Sequence, residues 1–337
     1  MGVVVIVLVL AEGGARALGP YLPEPQLYGD DATQVKVAQM DGLGASCVDV
    51  VLAGDSMGRD AFDPAAFSDA DGAHRRAYNA SLDAASPAVL RRWLLEEVLP
   101  RLHPTTVVVT IASLDLNAHG NATVSARAAY ETAALTRPGP GGRVAAWLTT
   151  TSDLVRYRTE LRDPATLGDA IEDWRAGQPA ARRPTTGIDG LLGGGGQGLS
   201  RRALRYRADV GTTSFTRSQL LGSYEIDADQ VDAAHDLIRE LRGQGVQVAI
   251  VVLPVTADYV ALHPRGEADF DAFLAVARDL ATDAGTPLVD LHAPDASAPA
   301  EMFADTHHLN EQGARWFSSG LPRRLADAGI TTGPRCG

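Results

Sequence analysis

The stretch VDVVLAGDSM, residues 48–57, decides how this chain is read. Apart from Asp49, Val48–Ala53 is an unbroken apolar run rich in β-branched residues. Closed by Gly54, such a run is the pattern of a strand buried on both faces. That kind of strand belongs to a parallel sheet covered by helices, where ligands bind beyond the carboxyl ends of the strands. Gly54-Asp55-Ser56 stands at that end. A serine at a strand-to-helix turn exposes its hydroxyl at the sheet edge, with its own N–H at a helix N-terminus whose partial positive charge favours an oxyanion.

Working outward, four more segments read as strands: Arg76–Ala80, Thr106–Ile111, Val246–Leu253 and Pro287–Leu291. Helical patterns lie between and after them. Pro87–Leu99 follows Ser86 as N-cap, Asp227–Arg242 ends at Gly243, Phe270–Ala284 ends at Gly285, and Glu311–Ala328 ends at Gly329. This alternation predicts a doubly wound α/β fold with a parallel five-stranded sheet and right-handed crossovers. Residues 121–222 interrupt the rhythm between the third and fourth strands. A hundred residues exceed any simple crossover, so an insertion with its own helices, Ala145–Arg158 and Pro164–Trp174, is expected. Gly193–Gly196 reads as a mobile loop, because no P-loop lysine or preceding strand accompanies it.

The 337 residues carry 30 basic and 42 acidic side chains, a net charge of −12, so a phosphate backbone meets net repulsion and nucleic acid is not expected as a partner. Composition is that of a folded globular chain, 45% apolar and 21% charged. Lys36 is the one lysine. Val3–Ala11 is apolar but too short to cross a bilayer alone. It reads either as the remnant of a signal anchor, with the Pro/Gly-bearing Glu12–Gln26 stretch as a stalk, or as a buried strand. Residues 1–40 are accordingly set apart from a catalytic domain over 41–337. Cys47 and Cys336 are either two free thiols or a disulfide, which would mean an oxidising compartment.

Ser56 becomes a nucleophile only if a base takes its proton. Of eight histidines, His74, His103, His235 and His263 fall on loops or helix ends and read as surface or capping residues. Asp305-Thr306-His307-His308-Leu309-Asn310 differs, lying between the fifth strand and the last helix. In a helical turn Asp305 and His308 share a face, so the carboxylate can fix the imidazole tautomer. The alternatives are a helix-terminal carboxylate for Asp305 and a metal ligand for His307 or His308, although no Cys/His cluster has ligand spacing. Asp290 and His292 read as hydrogen-bonded loop residues. Arg156, Arg158, Arg205, Arg207 and the pairs at 182–183 and 201–202 either line a groove for an anionic polymer or solvate the surface.

Gly54-Asp55-Ser56 together with Asp305-Thr306-His307-His308-Leu309-Asn310 resembles the first and last sequence blocks of the SGNH (GDSL-type) hydrolase superfamily. The resemblance implies a flavodoxin-like three-layer α/β/α sandwich and a Ser-His-Asp triad acting on ester-linked acyl groups without cofactor or metal. Ser56 would be the nucleophile, His308 the base and Asp305 its orienting acid, with His307 a bystander. The middle blocks depart from the family. Where its second block has a glycine for the oxyanion hole, Tyr78-Asn79-Ala80-Ser81-Leu82-Asp83-Ala84 offers Ala84, whose N–H survives the change. Where its third block has an asparagine, this chain has Leu114, leaving Asn117 or Ser113 to substitute. Losing one such donor costs a factor of about 10² to 10³ in rate. These departures, with Tyr78-Asn79, His103-Pro104, Pro254 and Met302-Phe303, resemble the envelope branch that includes alginate O-acetyltransferase and the D-alanine transfer protein. That branch implies an extracytoplasmic protein acting on an acylated carbohydrate or lipid, anchored through its N-terminus, with a membrane acyltransferase as partner. The alternative is a non-catalytic module of the same fold that binds glycan or a membrane partner.

Overall fold

Strands β1 (Val50–Ala53), β2 (Ala77–Asn79), β3 (Thr106–Thr110), β4 (Gln247–Val252) and β5 (Leu288–Asp290) form one sheet in the order β2-β1-β3-β4-β5. Every neighbouring pair is parallel. This is the flavodoxin-like order, whose switch point lies between β1 and β3. Side chains along a strand point alternately to the two faces, yet all residues of β1 and β3 are buried, so both faces of the central sheet are covered. The computed structural model describes residues 2–43, 47–180, 192–206, 212–293 and 298–330. Arg182, Arg183, Arg207 and Cys336 lie outside them. Cys47 is disulfide-bonded.

Each strand falls within two residues of its expected limits. Three flanking helices do nearly as well: Ala228–Gly243, capped by the Asp227 carboxylate, Glu267–Asp283, and Glu311–Asp327, capped by Asn310. The helix opening at Pro87 runs past Leu99 to Leu102, with a π-helical passage over Trp93–Val98 in which the Leu99 amide reaches back five residues to Leu94. Pro100 explains the shift, having no amide to continue the regular ladder. His103 then closes the helix in the left-handed conformation.

The described residues fall into two compact units, one drawn from 1–34 and 128–184 and the other from 35–127 and 185–337. In the first, Gly2–Leu18 is a helix continued by a 3-10 turn over Gly19–Tyr21, which sets aside the buried-strand reading. It is long and apolar enough to cross a membrane, and Val3–Leu10 are 55–76% exposed. The stretch expected as a stalk is helical up to Leu18. The helix expected over 145–158 is two, Gly139–Thr151 and Asp153–Arg156, because Ser152 turns extended and its Oγ accepts the Val155 amide. A third helix spans Pro164–Ala176.

In the second unit, the glycine-rich stretch is docked rather than mobile. The Lys36 ammonium, fully buried, donates to the carbonyls of Asn79 and Gly196. Gln39 donates to the Gly193 carbonyl, Asn79 N–H to that of Gly195, and Gly198 N–H to that of Arg59. Gly196 has φ +82°, and a Cβ there would lie 2.3 Å from the Asn79 carbonyl oxygen, so no other residue fits.

Candidate active site

β1 ends at Ala53, and Gly54 passes so close to β3 that a Cβ would sit 1.7 Å from Thr110 Oγ1. The chain then enters the short helix Ser56–Ala61. Asp55 Oδ1 caps it, accepting from Met57 N–H (2.9 Å) and Gly58 N–H (3.4 Å). The far end is clamped by Asn79 of β2, whose Nδ2 donates to the carbonyls of Gly58, Arg59 and Phe62 while its Oδ1 accepts from Ser81 N–H. Ser56 is thereby fixed at the switch point, half-buried.

The second part of the site comes from the far end of the sequence. Asn310 caps the last helix with its Oδ1, and its Nδ2 donates to the carbonyls of Glu301 and Phe303. From β4's side, Thr256 donates through both its N–H and Oγ1 to the Thr306 carbonyl. The loop so held places His308 Nε2 2.9 Å from Ser56 Oγ and His308 Nδ1 2.8 Å from Asp305 Oδ2. Asp305 Oδ1 accepts from the amides of His307 and His308. The structure thus joins Ser56, His308 and Asp305 in one chain of hydrogen bonds, the first two standing 252 positions apart in sequence. Burial alone would raise the Asp305 pKa, but the imidazoles of His308 and His307 and these hydrogen bonds hold it well below the ordinary carboxylate range. With its anion facing Nδ1, the proton of a neutral His308 sits there and Nε2 is free to accept from the serine.

His307, expected as a bystander, packs beside His308. Its ring lies 4.1 Å from that of His308 and 5.2 Å from that of Tyr259, and its Nδ1 meets Thr306 Oγ1 at 2.9 Å. Burial, then the adjacent His308, pushes its pKa down to about 3, so it stays neutral. Ligand atoms of Asp305, His307 and His308 lie within 4.8 Å of one another, a closer convergence than adjacent histidines suggested, but each already has a protein partner.

Three expectations are corrected. Asn117 is not presented as an oxyanion donor: its Nδ2 donates to the Leu220 carbonyl at 2.6 Å and its Oδ1 accepts from the amides of His119 and Glu225. Ser113 is equally committed, bonded to Tyr259 Oη (2.8 Å) and His263 Nε2 (3.0 Å). His263 is therefore no surface histidine but a buried one, 3% exposed, its Nδ1 facing the carbonyls of Tyr259 and Val260. Leu114 is buried and apolar. Ala84 has φ +49°, a left-handed conformation that glycine adopts more easily.

Arginine delivers what sequence spacing did not show. Arg201 Nη1 bonds Asp60 Oδ2 at 2.7 Å, and its Nε lies 3.6 Å from Asp305 Oδ2. Arg59 pairs with Asp60 and Asp83, and Arg202 with Asp63. Burial opposes ionisation of Asp60, yet Arg59, His308 and Arg201 hold its pKa down. Arg201 and Arg202, expected either to line a groove or to solvate the surface, are thus paired with acids beside Ser56 and His308. Arg156, in the other unit, pairs with Glu24. Below Ser56 lies a second acid pair. Asp55 Oδ2 and Asp115 Oδ1 are buried carboxylate oxygens with no N–H donor, and the two carboxyls meet each other. Burial raises both, Asp55 to about 6, so the pair shares a proton.

No protein-family model and no curated protein sequence matches the chain. Solved structures similar to it include a GDSL-like lipase from Bacteroides thetaiotaomicron, 9% identical, covering 88% of this chain and 100% of that one at a TM-score of 0.43. An acetylxylan esterase from Geobacillus stearothermophilus is 10% identical, covering 87% and 98% at 0.40. An aryl esterase from M. smegmatis is 12% identical, covering 83% and 100% at 0.37.

Proposed function

We propose that this chain is a serine esterase or O-acyltransferase of the SGNH type, acting on ester-linked acyl groups of a cell-envelope glycan or glycolipid. The observation that carries the reading is the 2.9 Å contact from Ser56 Oγ to His308 Nε2, with Asp305 held on the other ring nitrogen. Ser56 Oγ attacks the ester carbonyl as its proton passes to Nε2. The carbonyl π pair moves onto oxygen, and the imidazolium next to Asp305 returns the proton to the leaving alkoxide as the acyl C–O bond breaks. Water or a sugar hydroxyl then repeats the sequence on the acyl-enzyme. The oxyanion faces the amides of Ser56 and Ala84; of the four amides that open the Ser56 helix, those of Met57, Gly58 and Arg59 are taken by Asp55. The exposed apolar N-terminal helix and the disulfide at Cys47 support a place outside the cytoplasm, anchored in a membrane. A membrane acyltransferase partner would then supply the acyl group when the reaction is transfer.

Intact-mass measurement after fluorophosphonate treatment tests the triad. One adduct is expected on the native chain and none on Ser56→Ala. On an ester substrate, Ser56→Ala and His308→Ala should each remove nearly all turnover, and the double variant should be little worse than either. Full activity in either single variant overturns the assignment. Glycan affinity unchanged by Ser56→Ala, with no ester turned over by the native chain, would instead favour a binding module, for which the committed Asn117 and apolar Leu114 speak.

A further inference from the structure

The first compact unit carries a surface that the ester chemistry does not use. On the Gly139–Thr151 helix, Val144, Trp147 and Leu148 are 57%, 62% and 37% exposed. Their spacing of three and four residues puts them on one stripe, so the helix turns an apolar face outward where a soluble protein places polar residues. The last residue of this helix and the turn that follows it are tied to the N-terminal helix. Glu12 accepts from Ser152 Oγ at 2.7 Å and from the amides of Asp153 and Leu154, and Arg16 donates to the Thr151 carbonyl. Glu12 is the first charged residue after the apolar run that ends at Ala11. At about 1.5 Å per residue, Leu148, Trp147 and Val144 stand roughly 5 to 10 Å along their helix from that junction, whichever way the helix points. A displacement of that size keeps all three near the boundary between the headgroups and the hydrocarbon core.

We propose that Val144, Trp147 and Leu148 lie in the headgroup boundary of a lipid bilayer, beside the point where the N-terminal helix enters it. This rests on the reading of that helix as a membrane anchor. Continuity selects lipid as the occupant: the helix bearing the stripe is joined, by four hydrogen bonds at its C-terminal end and the turn after it, to a helix whose Val3–Leu10 are exposed all along one run. Tryptophan flanked by Arg143 is also the side-chain chemistry of such a boundary.

The test uses the full chain carrying Trp174→Phe, to silence the other strongly exposed indole, mixed with phosphatidylcholine–phosphatidylglycerol vesicles. Flotation reads the anchor, and tryptophan quenching reads the face. Co-flotation is expected, with quenching by lipids brominated near the headgroup and a roughly twofold or greater loss of quenching by aqueous iodide. Both fluorescence effects should vanish with a further Trp147→Phe, while flotation persists. Flotation with unchanged iodide access overturns the proposal and leaves the anchor standing. Absence of flotation overturns both. Iodide protection that grows with protein concentration without vesicles would assign the stripe to a second copy and overturn the lipid assignment.

Discussion

At the scale of single residues, the site is built on groups whose protonation burial dictates. The Asp55–Asp115 pair keeps a proton in the folded state that an unfolded chain gives up near pH 4, because burial raises both carboxyls and the Asp55 carboxyl raises Asp115 further. The folded state therefore binds more protons, and stability contributed at low pH is lost as pH rises from about 4 through the raised values. Asp115→Asn supplies the hydrogen permanently: its Nδ2 faces Asp55 while its Oδ1 still accepts from Ala112 N–H, as Asp115 Oδ2 does at 2.9 Å. Denaturant titrations between pH 4 and 8 should show a flatter pH dependence for the variant. At pH 8 they should show the variant more stable than the native chain, since it no longer has to give up a proton on the buried pair. An unchanged slope would mean the two carboxyls do not share a proton. None of this was legible in the sequence, where Asp55 and Asp115 stand sixty residues apart. Ser56 was legible because it sits at a strand-to-helix turn, and Asp305 and His308 because they stand three residues apart in the connection leading into the last helix.

Among elements, strands were read best and connections worst. A run such as Thr106–Thr110 is buried on both faces, so its identity is written in consecutive apolar residues. The segment 192–206 has no such periodicity. Its conformation comes from long-range partners, Lys36, Gln39, Asn79 and Arg59, which no window along the chain can show. That segment carries Arg201 to Asp305 and Asp60, so its docking and the placement of Asp305 are linked. Gly196→Ala forces a Cβ onto the Asn79 carbonyl at positive φ and is expected to cost about 2 kcal/mol or more. Gly194→Ala, with nothing within 4 Å of the added atom, should be nearly silent. Thermal unfolding of both variants decides the matter, since equal melting temperatures would mean that the stretch is not docked as described.

For the molecule as a whole, the chain's two ends of chemistry meet because a parallel sheet gathers every strand's carboxyl end to one edge, whatever lies between the strands in sequence. That rule made the α/β architecture predictable, but not the division of residues 121–222 between two units, which depends on packing rather than pattern. The buried lysine has a practical corollary. With Lys36 enclosed and its amine donating to two carbonyls, no other side chain in the chain offers an ε-amine to an acylating dye. Succinimidyl esters should label the native protein at its α-amino terminus alone, and a second label should appear only as fast as the sheet unit opens. At dye concentrations where the rate no longer rises with added dye, mass spectrometry of a labelling time course would then read the opening rate of that unit, and rapid double labelling under native conditions would show that Lys36 is not enclosed. The protein thus contains its own single-site clock for unfolding.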